Sequence, residues 1–158
     1  MSVVAYTFVL LALLCALGGA LAGLALLWRG RTDDLPWLEK AHAGVTIALT
    51  AASALLLRAL IVCDFSVQYV ASYTDRTLPL FYRITAFWAG QAGSLLFWAL
   101  MVAVCGSRFT VTAAYRSLSA QTRLWYLVLS LSIMAFFTLL LSTWSNPFLT
   151  LSPAPADG

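Results

Sequence analysis

Residues 3–28 read VVAYTFVLLALLCALGGALAGLALLW, twenty-six positions without a single charge. A hydrocarbon core about 30 Å thick needs about 20 apolar residues in a helix, so this run is long enough to cross it. It is also too long, and lacks the basic flank, for a cleavable secretory leader, so it reads as a permanent span. Three further stretches have the same character: 43–63, which carries one charge (Arg58), and the uncharged runs 84–105 and 124–144. The composition agrees. Of 158 residues, 62% are hydrophobic and 9% charged, against about 45–50% and about 25% in soluble domains. Fifteen charged side chains (nine basic, six acidic) cannot cover a water-facing surface. The scattered excess of +3 makes no phosphate-tracking patch, which excludes nucleic-acid partners. The expected class is an all-α integral membrane protein with four transmembrane helices, a unit over 1–144 followed by a Pro-rich tail over 145–158.

Orientation follows from the basic residues. Arg29, Arg31, Lys40, Arg108, Arg116 and Arg123 flank the first and third connections, while Arg76 and Arg83 lie in the second. The positive-inside rule then puts both termini, and the 64–83 connection, outside the cytoplasm. Small-residue pairs (Gly19 with Gly23, Ala86 with Gly90, Ala89 with Gly93) suit close helix approach in lipid, and Ser130, Thr138 and Ser142 can add interhelical hydrogen bonds. A bundle this short of polar contacts is expected to pack against further helices. Cys15, Cys63 and Cys105 stand alone in apolar runs, with no CxxC and no CxxCH, and read as small apolar packers.

The second connection, 64–83, reads DFSVQYVASYTDRTLPLFYR. Its Phe65, Tyr69, Tyr73, Phe81 and Tyr82 are suited to the membrane–water boundary. An aromatic anchor on the outer leaflet and a docking surface for a flat apolar ligand or a partner chain both account for them. The run 87–98, FWAGQAGSLLFW, places Trp88, Gln91, Ser94 and Trp98 on one helical face. Here a packing seam and a cofactor-facing wall both fit. Arg58 either snorkels towards Asp64 or meets an acidic ligand group. His42, the single histidine, reads as an interfacial polar residue at the cytoplasmic entrance of the second span, with metal ligation the alternative. No carboxylate falls within the four stretches and no paired half-helices are visible, which disfavours a transporter.

Taken in order, 64–72, 78–83 and 88–98, then Ser145-Asn-Pro-Phe148 and Pro153, Pro155 and Asp157-Gly158, resemble the N-terminal part of CcmF-type proteins. These are the cytochrome c maturation haem lyases, including the nitrite-reductase-associated subunits. The likeness covers essentially the whole chain. It implies a place in cytochrome c biogenesis. There, haem passes from the membrane-anchored chaperone CcmE to the CxxCH thiols of apocytochrome c, with thioether formation on the outer face of a bacterial-type inner membrane. Implied partners are CcmE, apocytochrome c with its thiol-handling maturation subunits, the remainder of the lyase, and lipid. The implied cofactor is haem, of the full assembly.

Two departures accompany the resemblance. Ala92 stands where the family commonly has glutamate, and the family is several times longer, with its Trp-Asp segment and haem-ligating histidines lying elsewhere. The chain is therefore expected to be a fragment or one piece of a split protein, acting in positioning and docking with no catalytic residue and no metal ligand of its own. The haem- or partner-facing residues expected from the likeness are Tyr69, Tyr73, Arg76, Pro79, Tyr82, Arg83, Trp88, Gln91, Gly93, Ser94 and Trp98. The rival expectation is a non-enzymatic membrane scaffold or accessory subunit without a haem role.

Overall fold

A computed structural model describes residues 2–157. Four long helices cross the molecule: α1 (Ser2–Trp28), α2 (Leu35–Ile61), α5 (Gln91–Thr110) and α7 (Ala120–Thr143). Each is long and apolar enough to span a membrane, so the protein is a multi-pass membrane protein. Three short helices fill the connections: α3 (Gln68–Tyr73), α4 (Leu80–Thr85) and α6 (Ala113–Arg116). The long helices form a ring in which α1 touches α7 and α2, and α5 closes the ring between α2 and α7. The α2–α5 connection, the start of α1 and the end of α7 share one end, here the loop end. There the Tyr6 hydroxyl donates to the Ser142 carbonyl at 3.0 Å.

α1 stops where Gly30 turns left-handed (φ 63°) and Arg31 N–H reaches back to the Leu26 carbonyl, a Schellman ending that needs a residue free of Cβ strain. Pro36 lies in the first turn of α2, where a missing N–H costs nothing. α2 therefore begins eight residues before the expected start at 43. It carries Glu39 and His42 inside the helix, ahead of the carboxylate-free stretch 43–63.

α1 and α7 pack closely because of two glycines. A Cβ at Gly23 would lie 2.5 Å from Val128 Cγ2, and one at Gly19 would lie 3.0 Å from Leu131 Cδ1. With nothing for apolar burial to drive in lipid, such close van der Waals contact is what holds the two helices together.

Three sequence expectations are corrected here. The 84–105 run is not one helix: α4 passes into a 3-10 turn at Ala86–Trp88, breaks at Ala89–Gly90, and restarts as α5 with Gly90 extended. The pairs Ala86/Gly90 and Ala89/Gly93 therefore straddle a break and form no helix seam. Thr138 and Ser142 donate to carbonyls of their own helix; only Ser130 bonds across. The reason is local, since a hydroxyl can always return to the carbonyl one turn back.

His42 is the partner of Ser130, and it is buried rather than interfacial. Its Nε2 lies 2.8 Å from Ser130 Oγ on α7 and its Nδ1 3.1 Å from Ser107 Oγ on α5. Thr46 Oγ1 extends the chain to Ser107 Oγ at 2.7 Å. Both ring nitrogens are thus occupied, and one imidazole ties three helices together. Nearby, the Glu39 carboxylate pairs with Arg123 and accepts from the buried Tyr115 hydroxyl at 2.9 Å. Burial first, with the Glu39 carboxylate adding to it, pushes the Tyr115 phenol up to about 12. Arg58 is exposed, and Asp64 accepts from Ser66 N–H and Oγ–H, not from Arg58.

Candidate loop-end docking site

Tyr69 is the centre of the loop end. It sits on α3, which is short because Thr74 turns extended after six residues. Its hydroxyl donates to the Ala86 carbonyl at 3.0 Å, with the Phe87 carbonyl at 3.3 Å, and accepts Gly90 N–H at 3.0 Å. The helix break leaves Gly90 N–H without a helical partner, and the Ala86 carbonyl keeps only the Ala89 N–H of the 3-10 turn, so the break and the tyrosine stabilise each other. Burial raises the Tyr69 phenol above its ordinary value, against the Gly90 N–H, which favours the phenolate. A Cβ at Gly93 would stand 2.2 Å from that hydroxyl and 2.0 Å from the Phe87 carbonyl oxygen; one at Gly90 would stand 2.4 Å from the Tyr73 ring. The glycines of the GxxGS run make room for loop tyrosines, not for another helix.

The rest of the loop is pinned by Arg83. Its Nε donates to the Leu78 carbonyl, Nη1 to Ile61 and Nη2 to Arg76, at 2.8, 3.2 and 2.8 Å. Pro79 caps α4, its carbonyl accepting the N–H of Tyr82 and Arg83. The Arg76 guanidinium lies over the Phe65 ring, 5.8 Å from its centroid. Asp75 accepts from Thr77 Oγ1 and N–H, and the Thr77 hydroxyl is the main reason its carboxyl titrates below the ordinary range.

The tail comes back to this loop. Leu151 N–H donates to Ser66 O and Gln68 N–H to Leu149 O, both at 2.8 Å, around an antiparallel bridge between Val67 and Thr150. Arg76 N–H donates to Asp157 Oδ1 at 3.0 Å; Gly158 lies outside the described residues.

The expected site residues thus fall into separate groups. Tyr69, Tyr73 and Gln91 meet Trp144, Asn146 and Leu149 around a half-polar cleft of about 250 Å³, with Gly93 buried behind the Tyr69 hydroxyl. Trp88, Ser94 and Trp98 form a second, apolar notch with Phe97, about 200 Å³. Ser94 Oγ donates to the Trp88 carbonyl across the break at 2.8 Å. Gln91 is not on the Trp88 face, because the break turns it into the other cleft. Arg76, Pro79 and Arg83 belong to the loop staple. Tyr82, exposed with Phe81 at 5.6 Å between ring centroids, faces outward. Phe65 and Tyr69, expected in an exposed aromatic loop, are 4% and 6% exposed and belong to the core. The cleft residues that sequence reasoning missed, Trp144 and Asn146, come from the end of α7 and the start of the returning tail; an interfacial Trp ahead of an Asn-Pro turn was their only signal.

Both clefts fall below the roughly 300–1,000 Å³ of pockets that enclose a cofactor-sized ligand. They can grip an edge or a protruding side chain. Among the described residues no three His, Cys, Asp or Glu side chains cluster, and the single histidine is held between two serines in the interior of the bundle. The residues present do not make a haem site.

No family model matches the chain. Curated relatives do. It is 34% identical to the cytochrome c-type biogenesis protein NrfE of Haemophilus influenzae over 116 residues, 72% of this chain and 18% of that protein. It is 36% identical to the biogenesis protein CcmF of Pseudomonas aeruginosa over 132 residues, 83% of this chain and 20% of that one. With CcmF of Pseudomonas fluorescens the figures are 35% over 150 residues, 94% and 22%. A solved structure of the cytochrome c haem lyase CcmF superposes with a TM-score of 0.84 at 29% identity, over 95% of this chain and 25% of that one. The chain spans about a fifth of the length of the curated relatives it matches. At these identities, and with the same four-helix arrangement, the chain belongs to the CcmF-type family of cytochrome c biogenesis proteins.

Proposed function

We propose that this four-helix unit is the N-terminal positioning and docking part of a CcmF-type haem lyase, working in the bacterial inner membrane with its loop end outside the cytoplasm. The assembly it serves takes haem from the chaperone CcmE and joins the haem vinyl groups to the two CxxCH thiols of apocytochrome c. Family membership and the distribution of basic residues support that reading. The observation that carries the docking role is the rigid loop end. A helix break, an arginine staple and a returning tail hold Tyr73, Phe81, Tyr82 and Trp88 outward at 41%, 69%, 56% and 46% exposure. Exposed aromatics on a fixed frame lose little entropy on binding, which suits a recognition surface. No catalytic step is assigned to this chain, whose residues do not fit haem; iron ligation belongs to other parts of the assembly.

The test is binding of haem-loaded CcmE to the purified protein in mild detergent. Tyr73→Ala with Tyr82→Ala should weaken binding at least about tenfold, the effect of about 1.4 kcal/mol, while Trp37→Ala at the opposite end leaves it unchanged. Equal affinity for all three proteins would reject the docking role and leave a scaffold without a haem role.

A further inference from the structure

A groove of about 440 Å³ opens at the end opposite the loop, between the close of α1 and the start of α2. That volume reaches the roughly 300–1,000 Å³ of pockets that hold small ligands. Ala22, Ala25 and Leu26 of α1 form its floor, and Arg29, Asp34 and Trp37 its rim. Gly18, one turn deeper on the same face of α1, meets nothing within 4 Å of an added Cβ. The floor therefore stays open towards the membrane interior. Trp28 and Trp37 are exposed at the mouth, and tryptophan at a helix end marks the headgroup layer. The two charges on the rim differ from their neighbours. Arg31 and Asp33 pair with each other at 3.4 Å. Arg29 and Asp34 share the groove, yet among the described residues neither side chain makes an ion pair or a hydrogen bond. A cation and an anion face one space without meeting, and an occupant that carries both signs satisfies both.

We infer that this groove binds a glycerophospholipid whose headgroup joins a phosphate to a primary ammonium, the phosphatidylethanolamine class. The Arg29 guanidinium takes the phosphate oxygens, for which its planar fork is suited. The Asp34 carboxylate accepts from the ammonium. An acyl chain lies along Ala22 and Ala25, where no side chain exceeds a methyl group. The charges decide the class. Phosphatidylglycerol brings a negative charge to a rim that already holds Asp34, and offers that carboxylate no cation. Phosphatidylcholine carries a quaternary ammonium, which has no N–H to donate. The site lies at the far end of the bundle from the aromatic loop and does not depend on the chaperone-docking role.

The experiment titrates the three lipids, with identical acyl chains, onto the full chain in mild detergent and reads each bound species by native mass spectrometry. Phosphatidylethanolamine should bind about tenfold more tightly than phosphatidylcholine, the effect of one charge-assisted hydrogen bond. Asp34→Asn, which keeps a capping side chain at the start of α2, should remove most of that preference and leave phosphatidylcholine binding as it was. Arg29→Gln should weaken both lipids, and Arg58→Gln near the loop end should leave the preference unchanged. Equal binding of the three lipids, tighter binding of phosphatidylglycerol, or an intact preference in Asp34→Asn would overturn the assignment. Displacement of the bound lipid by millimolar glycerophosphoethanolamine would also overturn it, by making this a site for a soluble headgroup.

Discussion

Gly93→Ala adds one methyl group at the place where the loop, the helix break and α5 meet. A Cβ there would lie 2.0 Å from the Phe87 carbonyl oxygen and 2.2 Å from the Tyr69 hydroxyl. The hydroxyl could rotate away; the carbonyl is backbone, and must retreat by at least about 1 Å to reach even a tight contact near 3 Å. That movement pulls Ala86 and Gly90 off the Tyr69 hydroxyl, which now bonds both at 3.0 Å. Overpacking costs about 1–3 kcal/mol, and a buried N–H left without a partner about 1–3 kcal/mol more. The sum, about 2–6 kcal/mol, is charged mainly against docking of the loop. At 1.4 kcal/mol per tenfold, the open population rises by roughly 25-fold or more. Trypsin reads this directly, because Arg83 is tied to three carbonyls when the loop is docked, and proteolysis tracks the open form when opening is fast. Cleavage after Arg76 and Arg83 should accelerate by about that factor in detergent micelles. The control is Gly18→Ala, where a Cβ meets nothing within 4 Å and cleavage should not change. If Gly93→Ala is cleaved no faster than Gly18→Ala, the loop is not held in the way described.

Other outcomes follow from the same contacts. Gly23→Ala drives a methyl to 2.5 Å from Val128 Cγ2 and should cost about 1–3 kcal/mol of bundle stability; adding Val128→Ala should recover most of it in steric-trap unfolding. His42→Leu removes two interhelical hydrogen bonds worth about 0.6–1.7 kcal/mol each in membranes, and should lower the melting temperature, with Ser130→Ala in the same chain returning part of the loss. The raised Tyr69 phenol contributes stability that is fully present below the unfolded value near pH 10 and is lost as pH rises through the folded value. Wild type minus Tyr69→Phe in an alkaline absorbance titration should therefore show one phenol ionising above the ordinary range. Ala92→Glu sets a carboxylate in the first turn of α5, where the helix dipole favours it by about 0.3–1 kcal/mol; thermal unfolding should show no loss.

The four spans were readable because lipid demands about twenty apolar residues with internally paired backbones, and 3–28 and 124–144 needed no more than counting. The start of α2 was not, because Pro36, Glu39 and His42 look like loop residues until a neighbouring Arg123 and two serines are supplied from other helices. The run 84–105 misled for a related reason. Its apolar character is continuous, and the break there is held by a tyrosine hydroxyl that donates to the Ala86 carbonyl and accepts the Gly90 N–H. At the loop end, the residue types of the candidate site were legible, but their grouping was not. Gln91 joins Tyr73 and Trp144 because of the break and the returning tail, and neither leaves a periodic signal. Arg83 is expected from the family likeness to face haem or a partner, and the structure gives three of its donors to carbonyls.

On the proposed function, the fixed aromatic loop end serves haem attachment through partner docking. The most direct measurement is covalent haem on c-type cytochromes in cells whose copy of this chain carries Tyr73→Ala and Tyr82→Ala, with chain abundance in the membrane matched to wild type. Haem-stained cytochrome should fall strongly at unchanged chain level. Full haem attachment at equal abundance would contradict it.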